Sequence, residues 1–242
     1  MPSIILGNTS IEYEVTRSDR RKTISLIVDP SEGVVVIAPE NLKSDTLHEV
    51  VRNKVSWILE KQALMNEIEA PPKEKEYLSG EKFPYIGRYY RLKVIRGDDV
   101  EEPHVVLWRG KFLVAISEID YTLRREEVVR SALKNWFVSH ARKRIPERVK
   151  MYAPKLGVRP SRVHIKEQQK RWGSCTKNKE LLYNWQIIMA PISVVDYVIV
   201  HELCHLIEKN HTDTFWRLLK SVIPEYELRK EWLRVKGHRL TV

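Results

Sequence analysis

DYVIVHELCHLIEKNH, residues 196–211, is the segment from which the organisation of this chain follows. It contains H-E-x-x-H at His201, Glu202 and His205, and a third histidine, His211, comes six positions after His205. On a helix, residues four apart are separated by about 40° around the axis, so His201 and His205 project from one face. Two imidazoles at this spacing bind one tetrahedral zinc, and Glu202 between them acts on a zinc-bound water. The segment therefore predicts the active-site helix of a zinc-dependent hydrolase.

The third ligand depends on where this helix ends. Pro191 and the pair Ser193 and Asp196, which resembles a capping box, predict its beginning. In a continuous helix His211 would lie about 240° from His205, so it reaches the metal only if the helix ends near Lys209 and the chain folds back. Asn210 suits the left-handed conformation of such an end. We expect Thr212 or Asp213 to cap the next helix.

Two other side chains compete for the metal. Glu208 lies about 20° from His201 on the helical wheel and could ligate the metal or orient a histidine. Cys204 lies about 60° to the other side of His201, and a thiolate is a good zinc ligand. As an alternative to metal binding, Cys204 would be a small buried apolar residue and Glu208 a solvated charge at the end of the helix. We favour this alternative for each of the two residues. His211 is therefore the predicted third ligand, although three histidines without a metal would also be compatible with the pattern.

Composition sets the class of protein. The 242 residues suffice for one large or two small domains, and no apolar run approaches the roughly 20 residues of a membrane helix. The N-terminal residues lack the pattern of a signal peptide. Two cysteines make no disulfide framework, so we expect reduced thiols, a cytoplasmic location and no membrane segment. The sequence does not define the oligomeric state.

The net charge of +10 indicates an anionic partner, such as a nucleic acid, a nucleotide or an acidic peptide. Much of the excess falls between residues 124 and 179. Aromatic residues are not interleaved there as a surface for single-stranded nucleic acid would require. A solvated helix face is therefore the favoured interpretation, and nucleic-acid binding stays an alternative.

The order of patterns predicts an α+β fold. Residues 1–120 form a β-rich N-terminal region with one helix at about 45–66, capped by Ser44 or Asp45, and with a linker at 70–75. Residues 121–242 form the catalytic domain, with a small sheet and the H-E-x-x-H helix. A long helix is predicted from about Arg124 to Tyr152, which Pro146 must kink or divide. No internal repeat is evident.

Several short motifs resemble the YgjP-like metallopeptidase family, which is distantly similar to the SprT-like zincins. They are Arg171-Trp172-Gly173-Ser174-Cys175, Asn184-Trp185, Ala190-Pro191, Asp196-Tyr197-Val198, the H-E-L-x-H-L element, and Asn210-His211 with Phe215-Trp216. The resemblance extends over about residues 13–236 and implies a zincin-like domain. It implies His201, His205 and His211 as ligands of one zinc ion, or of another divalent metal, and Glu202 as the catalytic glutamate. Cys204 stands where alanine is common in the family.

The resemblance implies a metallopeptidase-like hydrolase in which Glu202 is the general base for attack on a peptide bond. Some members of the family are credited with pyrophosphatase activity on UTP, so a nucleotide is the alternative substrate. A nucleic-acid-binding module with a structural zinc is a third hypothesis. Substrate contacts are expected from Arg171, Ser174 and Asn184, and an oxyanion partner from Arg171, Tyr183 or His238.

Overall fold

A computed structural model describes residues 2–6, 9–19, 21–29, 33–66 and 74–242 as a mixed α+β protein. The chain divides into two compact units, Met1–Glu69 and Ala70–Val242. Most of the linker expected at 70–75 lies outside the described residues. None of the helices in the described ranges is long and apolar enough to cross a membrane.

The first unit contains one four-stranded sheet and two helices. The strands are β1 (Ser3–Leu6), β2 (Thr9–Ser18), β3 (Ser25–Asp29) and β4 (Gly33–Pro39), and the helices are α1 (Ser44–Arg52) and α2 (Val55–Asn66). The strand order is β1-β2-β4-β3, in which β2 and β4 are parallel and the outer pairs are antiparallel. Alternate residues of β4 join the apolar side of α1 and α2 in a core of their own.

The single helix expected at about 45–66 is in fact two helices. The backbone N–H of Asn53 donates to the carbonyls of Glu49 and Val51, and the N–H of Lys54 donates to Val51, so the chain tightens into a turn before α2 begins. The expected cap at Ser44 or Asp45 is also wrong, because Lys43 occupies the cap position and provides no side-chain hydrogen bond. Asparagine is a weak helix former, which makes position 53 a natural break.

The second unit begins with a sheet of the same topology as the first. Its strands are β5 (Lys82–Tyr85), β6 (Arg88–Arg96), β7 (His104–Trp108) and β8 (Lys111–Ile116), in the order β5-β6-β8-β7. Again the central pair is parallel and both outer pairs are antiparallel. Two helices follow, α3 (Glu118–Leu123) and α4 (Arg125–Tyr152).

This equivalence extends to single positions, so the expectation of no internal repeat is wrong at the level of structure. Tyr13 on β2 pairs with Val34, and Leu92 on β6 pairs with Phe112 in the same register. From these positions onward, alternate residues of β4 and β8 are buried in the same order. The sequence conceals the repeat because an alternating apolar pattern, and not a set of particular residues, is what the sheet requires.

The two sheets pack with different partners. The second sheet shares one apolar core with the C-terminal helices, which includes Phe83, Phe112, Phe137, Trp185 and Ile199. The compact units therefore divide the chain at 69/70, whereas the sequence interpretation divides it at 120/121. The two divisions differ in the placement of residues 70–120, and the inward-facing side chains of strands β5 to β8 complete the core around α4.

Helix α4 is continuous over 28 residues and includes Pro146. The long helix predicted from the sequence is therefore present, and the proline does not divide it. Its buried residues recur at helical spacing along one side, and they are Val129, Ala132, Leu133, Phe137, Ala141, Ile145 and Val149. Their burial against the sheet and the following elements outweighs the loss of one backbone hydrogen bond at Pro146.

The C-terminal part of the chain combines a three-stranded sheet with three helices. The strands are β9 (Arg162–Lys166), β10 (Gly173–Cys175) and β11 (Glu180–Asn184), in the order β10-β11-β9. Short 3-10 helices span Ala153–Leu156, Trp185–Met189 and Gly237–Arg239, and the helices are α5 (Ile192–Cys204), α6 (Asp213–Val222) and α7 (Tyr226–Lys236). Because β10 is an edge strand, one side of its backbone is not used by the sheet.

Helix α5 is held by an ion pair that the sequence interpretation missed. Pro191 precedes its first turn without a side-chain cap, and Asp196 does not form the expected capping box with Ser193. Instead, Arg148 on α4 donates to both carboxylate oxygens of Asp196, from Nε at 2.6 Å and from Nη2, and the Tyr152 hydroxyl donates at 3.0 Å. Asp196 is 7% exposed, so its charge is neutralised within the protein.

Replacing Asp196 by asparagine is expected to lower the free energy of unfolding by about 2–3 kcal/mol, because the partly buried Arg148 guanidinium would lose its counter-charge. Urea unfolding of the metal-free protein measures the change. The matched control is Glu126→Gln, which weakens an exposed pair with Arg130 at 2.7 Å and should cost less than about 1 kcal/mol. Equal losses in the two variants would contradict this role of Asp196.

Candidate metal centre

Three histidines converge where α5 ends. His201 is in the last turn of α5, His205 is its C-terminal cap residue, and His211 lies in the loop before α6. The helix ends at Cys204, earlier than the expected Lys209, and the N–H groups of Ile207 and Glu208 both donate to the Cys204 carbonyl. The early end allows the chain to fold back over a short distance.

The turn does not use the predicted conformation of Asn210. Among described non-glycine residues, positive φ occurs at Tyr77, Ile86, Arg109 and Lys179, and not at Asn210. Asn210 instead donates its N–H to the Glu208 carboxylate at 3.1 Å, and its carbonyl accepts from the N–H of Thr212 at 2.8 Å. The Thr212 side chain then caps α6 by accepting from the N–H of Phe215, which confirms one of the two caps expected from the sequence.

The imidazoles of His201, His205 and His211 form one cluster. One nitrogen from each ring lies within 4.8 Å of the others, and the Nε2 atoms of His201 and His211 are 3.0 Å apart. Two nitrogens bound to one tetrahedral zinc at about 2.0–2.1 Å are about 3.3 Å from each other. The cluster therefore has the size of a metal site without rearrangement of the backbone.

Phe215 forms the floor of this cluster. Its ring centroid is 4.9 Å from that of His201, 4.6 Å from that of His205 and 4.7 Å from that of His211. Trp216, the next residue on α6, stacks on His211 with 5.4 Å between centroids. The beginning of α6 thus fixes the orientation of all three imidazoles from one side.

The surroundings favour the neutral form of two of the histidines. Burial is the largest of the causes that lower the pKa of His201 to about 3, and the nearby His205, His211 and Lys230 act in the same direction. The pKa of His211 is lowered by burial and by the nearby His205 and Lys230. A neutral imidazole offers a lone pair, which is the form that binds a metal. His201 and His211 are therefore in the form that suits a divalent cation.

One histidine has a clear partner behind the cluster. Nδ1 of His205 lies 3.1 Å from the backbone carbonyl of Glu208, and this contact assigns the proton to Nδ1 and leaves Nε2 free for a metal. Glu208 thus orients a histidine through its backbone, while its carboxylate accepts from Asn210. Nδ1 of His201 is buried without a hydrogen-bond partner among the described residues.

The competing ligands are absent from the cluster. Cys204 is fully buried, and burial raises the pKa of its thiol to about 12, so it is a protonated core residue, as favoured from the sequence. Within the described ranges, the group of potential ligands contains only the three histidines. Three histidines could hold a metal ion here, and three protein ligands plus a water are typical of catalytic zinc, whereas structural zinc has four protein ligands.

Glu202, the residue after His201, lies against strand β10. It is 5% exposed, and burial raises the pKa of its carboxyl to about 8, while the positive charge of Arg171 acts in the other direction. The Glu202 side chain is so close to Gly173 that a Cβ atom there would be 2.8 Å from Oε1 and 2.7 Å from Cγ. Only glycine at position 173 leaves room for this carboxylate.

A cleft of about 550 Å³ opens onto the histidines and Glu202. Two of the residues expected to bind substrate line it, namely Arg171 and Ser174, and the rest of β10 forms one wall. A second cleft of about 360 Å³ also reaches His201 and Glu202 and is lined by Trp172, Tyr197 and Lys230. Substrate thus has access to the cluster along β10 and along α7.

The third expected substrate contact, Asn184, lies elsewhere. Its amide is 2% exposed and bonds the N–H of Gln186, the carbonyl of Gln168 and the side chain of Gln186. It caps the 3-10 helix Trp185–Met189, which is a structural role. Of the oxyanion candidates, Tyr183 is fully buried and donates to the carbonyl of Ile199 at 3.3 Å. His238 lines a separate cavity with Asn184. Arg171 is the candidate that borders the cleft.

Sequence reasoning missed two residues that shape the site. In the sequence, Gly173 is only a glycine in a short motif, and Phe215 is only part of the family resemblance, so neither pattern indicates a role in the site. The apolar periodicity of α6 predicts that Phe215 is buried, but not that it contacts three imidazoles. Both roles arise from contacts between segments that are distant in sequence.

Comparison with known proteins gives one match that covers most of the chain. Residues 22–236 match the family model described as YgjP-like, metallopeptidase domain. No curated protein matches the chain.

Two crystal structures of metallopeptidase zymogens are similar in part. Abylysin of Pyrococcus abyssi is 19% identical with a TM-score of 0.37, and the similarity covers 40% of this chain and 99% of that one. Jannalysin of Methanocaldococcus jannaschii is 26% identical with a TM-score of 0.31, and the similarity covers 36% of this chain and 92% of that one.

Proposed function

The chain belongs to the YgjP-like metallopeptidase family, as the sequence motifs predicted, and on this premise we propose that it is a zinc-dependent hydrolase of peptide bonds. The observation that carries the proposal is the position of Glu202. Its buried carboxylate and the three converging imidazoles border the same cleft, beside an edge strand. A base, a metal site and a surface for extended substrate are the three parts that such a reaction needs.

His201, His205 and His211 are the residues that would hold the zinc ion. When bound, zinc supplies Lewis acidity, which polarises a carbonyl and lowers the pKa of a coordinated water to about 7. The protein prepares for this ion by favouring the neutral forms of His201 and His211, by packing Phe215 against all three rings and by directing the Nδ1 proton of His205 to the Glu208 carbonyl. Zinc is the typical metal of such a donor set, and other divalent metals are also compatible with it.

Glu202 is the proposed general base and acid. Its carboxylate accepts the proton of the attacking water and afterwards delivers a proton to the nitrogen of the leaving amine. Burial makes the carboxylate more basic than an exposed one, while Arg171 moderates the effect. Contact with the backbone of Gly173 restricts the positions that the carboxylate can adopt, so that the proton is transferred at a defined place.

Strand β10 is the proposed binding surface for the substrate backbone. Within the described part of the chain it pairs only with β11, and its residues Gly173, Ser174 and Cys175 line the cleft. An extended peptide could add to this edge as a further strand and would then pass beside Glu202. Arg171, at the entrance to the same cleft, is the proposed partner of the charge that develops on the carbonyl oxygen.

Two alternatives follow from other interpretations of the same residues. UTP as substrate is suggested by the cations around the cleft, although the only rings in the lining of that cleft are the three histidines. Trp172 and Tyr197, on which a base could stack, line the second cleft instead. A nucleic-acid-binding module with a structural zinc leaves the buried Glu202 without a role. Peptide hydrolysis uses every group in the site and is therefore the preferred function.

The deciding experiment compares chelator-stripped and zinc-reloaded protein on a peptide library and on UTP in parallel. We expect cleaved peptides only in the zinc-loaded sample, with UTP intact. Zinc-dependent pyrophosphate release with intact peptides would replace the proposal by the nucleotide alternative. Salt-sensitive binding to DNA without hydrolysis of either substrate would favour the structural-zinc alternative.

Replacing Gly173 by alanine is expected to lower kcat about 10- to 100-fold while the affinity for zinc stays unchanged, because the new Cβ would displace the Glu202 carboxylate but not the histidines. Peptide turnover and zinc titration measure the two quantities. Gly97→Ala is the matched control, since a Cβ there would meet only Val100 at 3.4 Å and the site lies outside the described clefts. Unchanged kcat in Gly173→Ala would contradict the proposed contact.

A further inference from the structure

The cleft that opens onto the histidines has a rim of positive charge. Four basic residues line it, namely Arg171, Lys177, Lys179 and Lys209, and all four are exposed. None of them forms an ion pair within the described ranges. The only acid in the lining is the buried Glu202. An unpaired set of like charges costs stability through self-repulsion, so it is informative where it borders a reactive site.

Two of these lysines are presented by a firmly built turn. The turn 176–179 connects β10 to β11, and it is closed by hydrogen bonds from Lys179 N–H to the Thr176 carbonyl at 3.0 Å and from Thr176 N–H to the Glu180 carbonyl at 2.9 Å. Ser161 fastens it from outside, through its N–H to the Lys179 carbonyl and its hydroxyl to the Asn178 carbonyl. The turn therefore holds Lys177 and Lys179 directly beyond the end of the edge strand.

Lys179 occupies a conformation that its side chain does not favour. Its φ is 60°, in the left-handed region where glycine and asparagine are the usual residues. A lysine there costs local stability that either of those residues would avoid. Departures from local preference are expected where a side chain serves a function. The turn thus gives an independent reason to assign a role to the charge of Lys179.

The position of the rim beside an edge strand favours one class of anion. Arg171 lies just before β10, Lys177 and Lys179 lie in the turn after it, and Lys209 lies in the loop after α5. A polypeptide that extends β10 would pass Glu202 and then reach Lys177 and Lys179. Its own side chains would project towards the rim on alternate positions.

We infer that the rim of Arg171, Lys177, Lys179 and Lys209 selects polypeptide segments with acidic side chains on the side of the scissile bond that lies against the 176–179 turn. This inference rests on the proposed function, because it concerns the substrate of the same site. Lys177 and Lys179 are the specificity-determining residues, since Arg171 is next to the chemistry and Lys209 is next to the metal site.

The test measures binding without turnover. A short labelled peptide rich in glutamate and its glutamine counterpart are titrated against zinc-loaded Glu202→Gln protein. We expect the glutamate peptide to bind about tenfold more tightly, as two or three exposed charge pairs would provide. The preference should vanish at about 1 M salt, where the Debye length falls to about 3 Å.

Reversing the charge with Lys177→Glu/Lys179→Glu should abolish or invert this preference. Arg142→Glu/Lys143→Glu, two exposed positions on α4 outside the cleft, changes the net charge equally and should retain the preference. Lys177→Gln/Lys179→Asn is a second variant, which removes both charges. Because asparagine suits the left-handed conformation at position 179, a loss of the preference in this variant cannot be attributed to a folding defect.

Three outcomes would overturn the inference. Equal binding of the two peptides would show that the rim does not select acidic side chains. Equal loss of the preference in both charge-reversed proteins would show that only net charge matters. Displacement of the glutamate peptide by UTP at much lower concentration would assign the rim to a nucleotide. If the glutamate peptide is still preferred but zinc-loaded wild type cleaves no peptide of the library, only the proposed function fails. Failure of the inference and failure of the proposed function therefore give different results.

Discussion

Glu202→Gln is expected to lower kcat for peptide cleavage by about 10²–10⁴-fold, the usual contribution of a general acid–base group, while zinc binds as in the wild type. The amide has nearly the shape of the carboxylate, so it fits beside Gly173, but it cannot accept a proton from water. Because Glu202 makes its contribution during the reaction and not during binding, KM should change little.

The measurement requires metal content and turnover on the same preparation. Glu147→Gln, an exposed glutamate on α4, is the matched control and should retain wild-type kcat. Peptidase activity near the wild-type level in zinc-replete Glu202→Gln protein would contradict the proposed mechanism. Loss of zinc together with activity would instead show that Glu202 supports the metal site.

His211→Ala is expected to reduce zinc affinity by about two to three orders of magnitude, roughly one ligand's share of the binding free energy of a zinc site. Its Nε2 lies 3.0 Å from that of His201, so its loss removes one of three converging donors. The side chain is exposed in a loop, and its replacement should leave the unfolding free energy of the metal-free protein within about 0.5 kcal/mol of the wild-type value.

Competition with a chromogenic chelator measures the affinity, and the increase of Tm on addition of zinc gives a second readout that is independent of activity. His104→Ala, on the exposed strand β7, should bind zinc as the wild type does. Wild-type affinity in His211→Ala would exclude His211 as a ligand. A metal-free variant that is itself unfolded would mean that His211 acts through its stacking on Trp216.

Local geometry explains why the histidine cluster was predictable. His201 and His205 are one helical turn apart, and this spacing alone places them on one face. The position of His211 needed one further condition, that the helix end before it, and the structure meets this condition five residues earlier than expected, at Cys204 instead of Lys209. The end of a helix depends on competing hydrogen bonds over a few residues, and such boundaries are the least secure part of any sequence interpretation.

Asp196 and Asn184 illustrate the limits of the same reasoning. Both are polar residues at positions where a sequence pattern suggests a cap or a substrate contact. Asp196 instead pairs with Arg148, which is 48 positions away, and Asn184 bonds Gln168 and Gln186 in the interior. A buried polar group must find partners wherever the fold provides them, so its role is decided by what packs against it.

By itself the sequence determined the family, the mixed α+β class and the pairing of His201 with His205 on one side of a helix, because each of these depends on residue types at short spacing. Tertiary structure alone decided that Gly173 faces Glu202, that Phe215 lies beneath three imidazoles and that Lys177 and Lys179 border the same cleft. It also decided that two sheets of the chain share one topology. These features arise from contacts between segments far apart in the chain, and such contacts are selected by the packing of the whole core and not by the periodicity of any one segment.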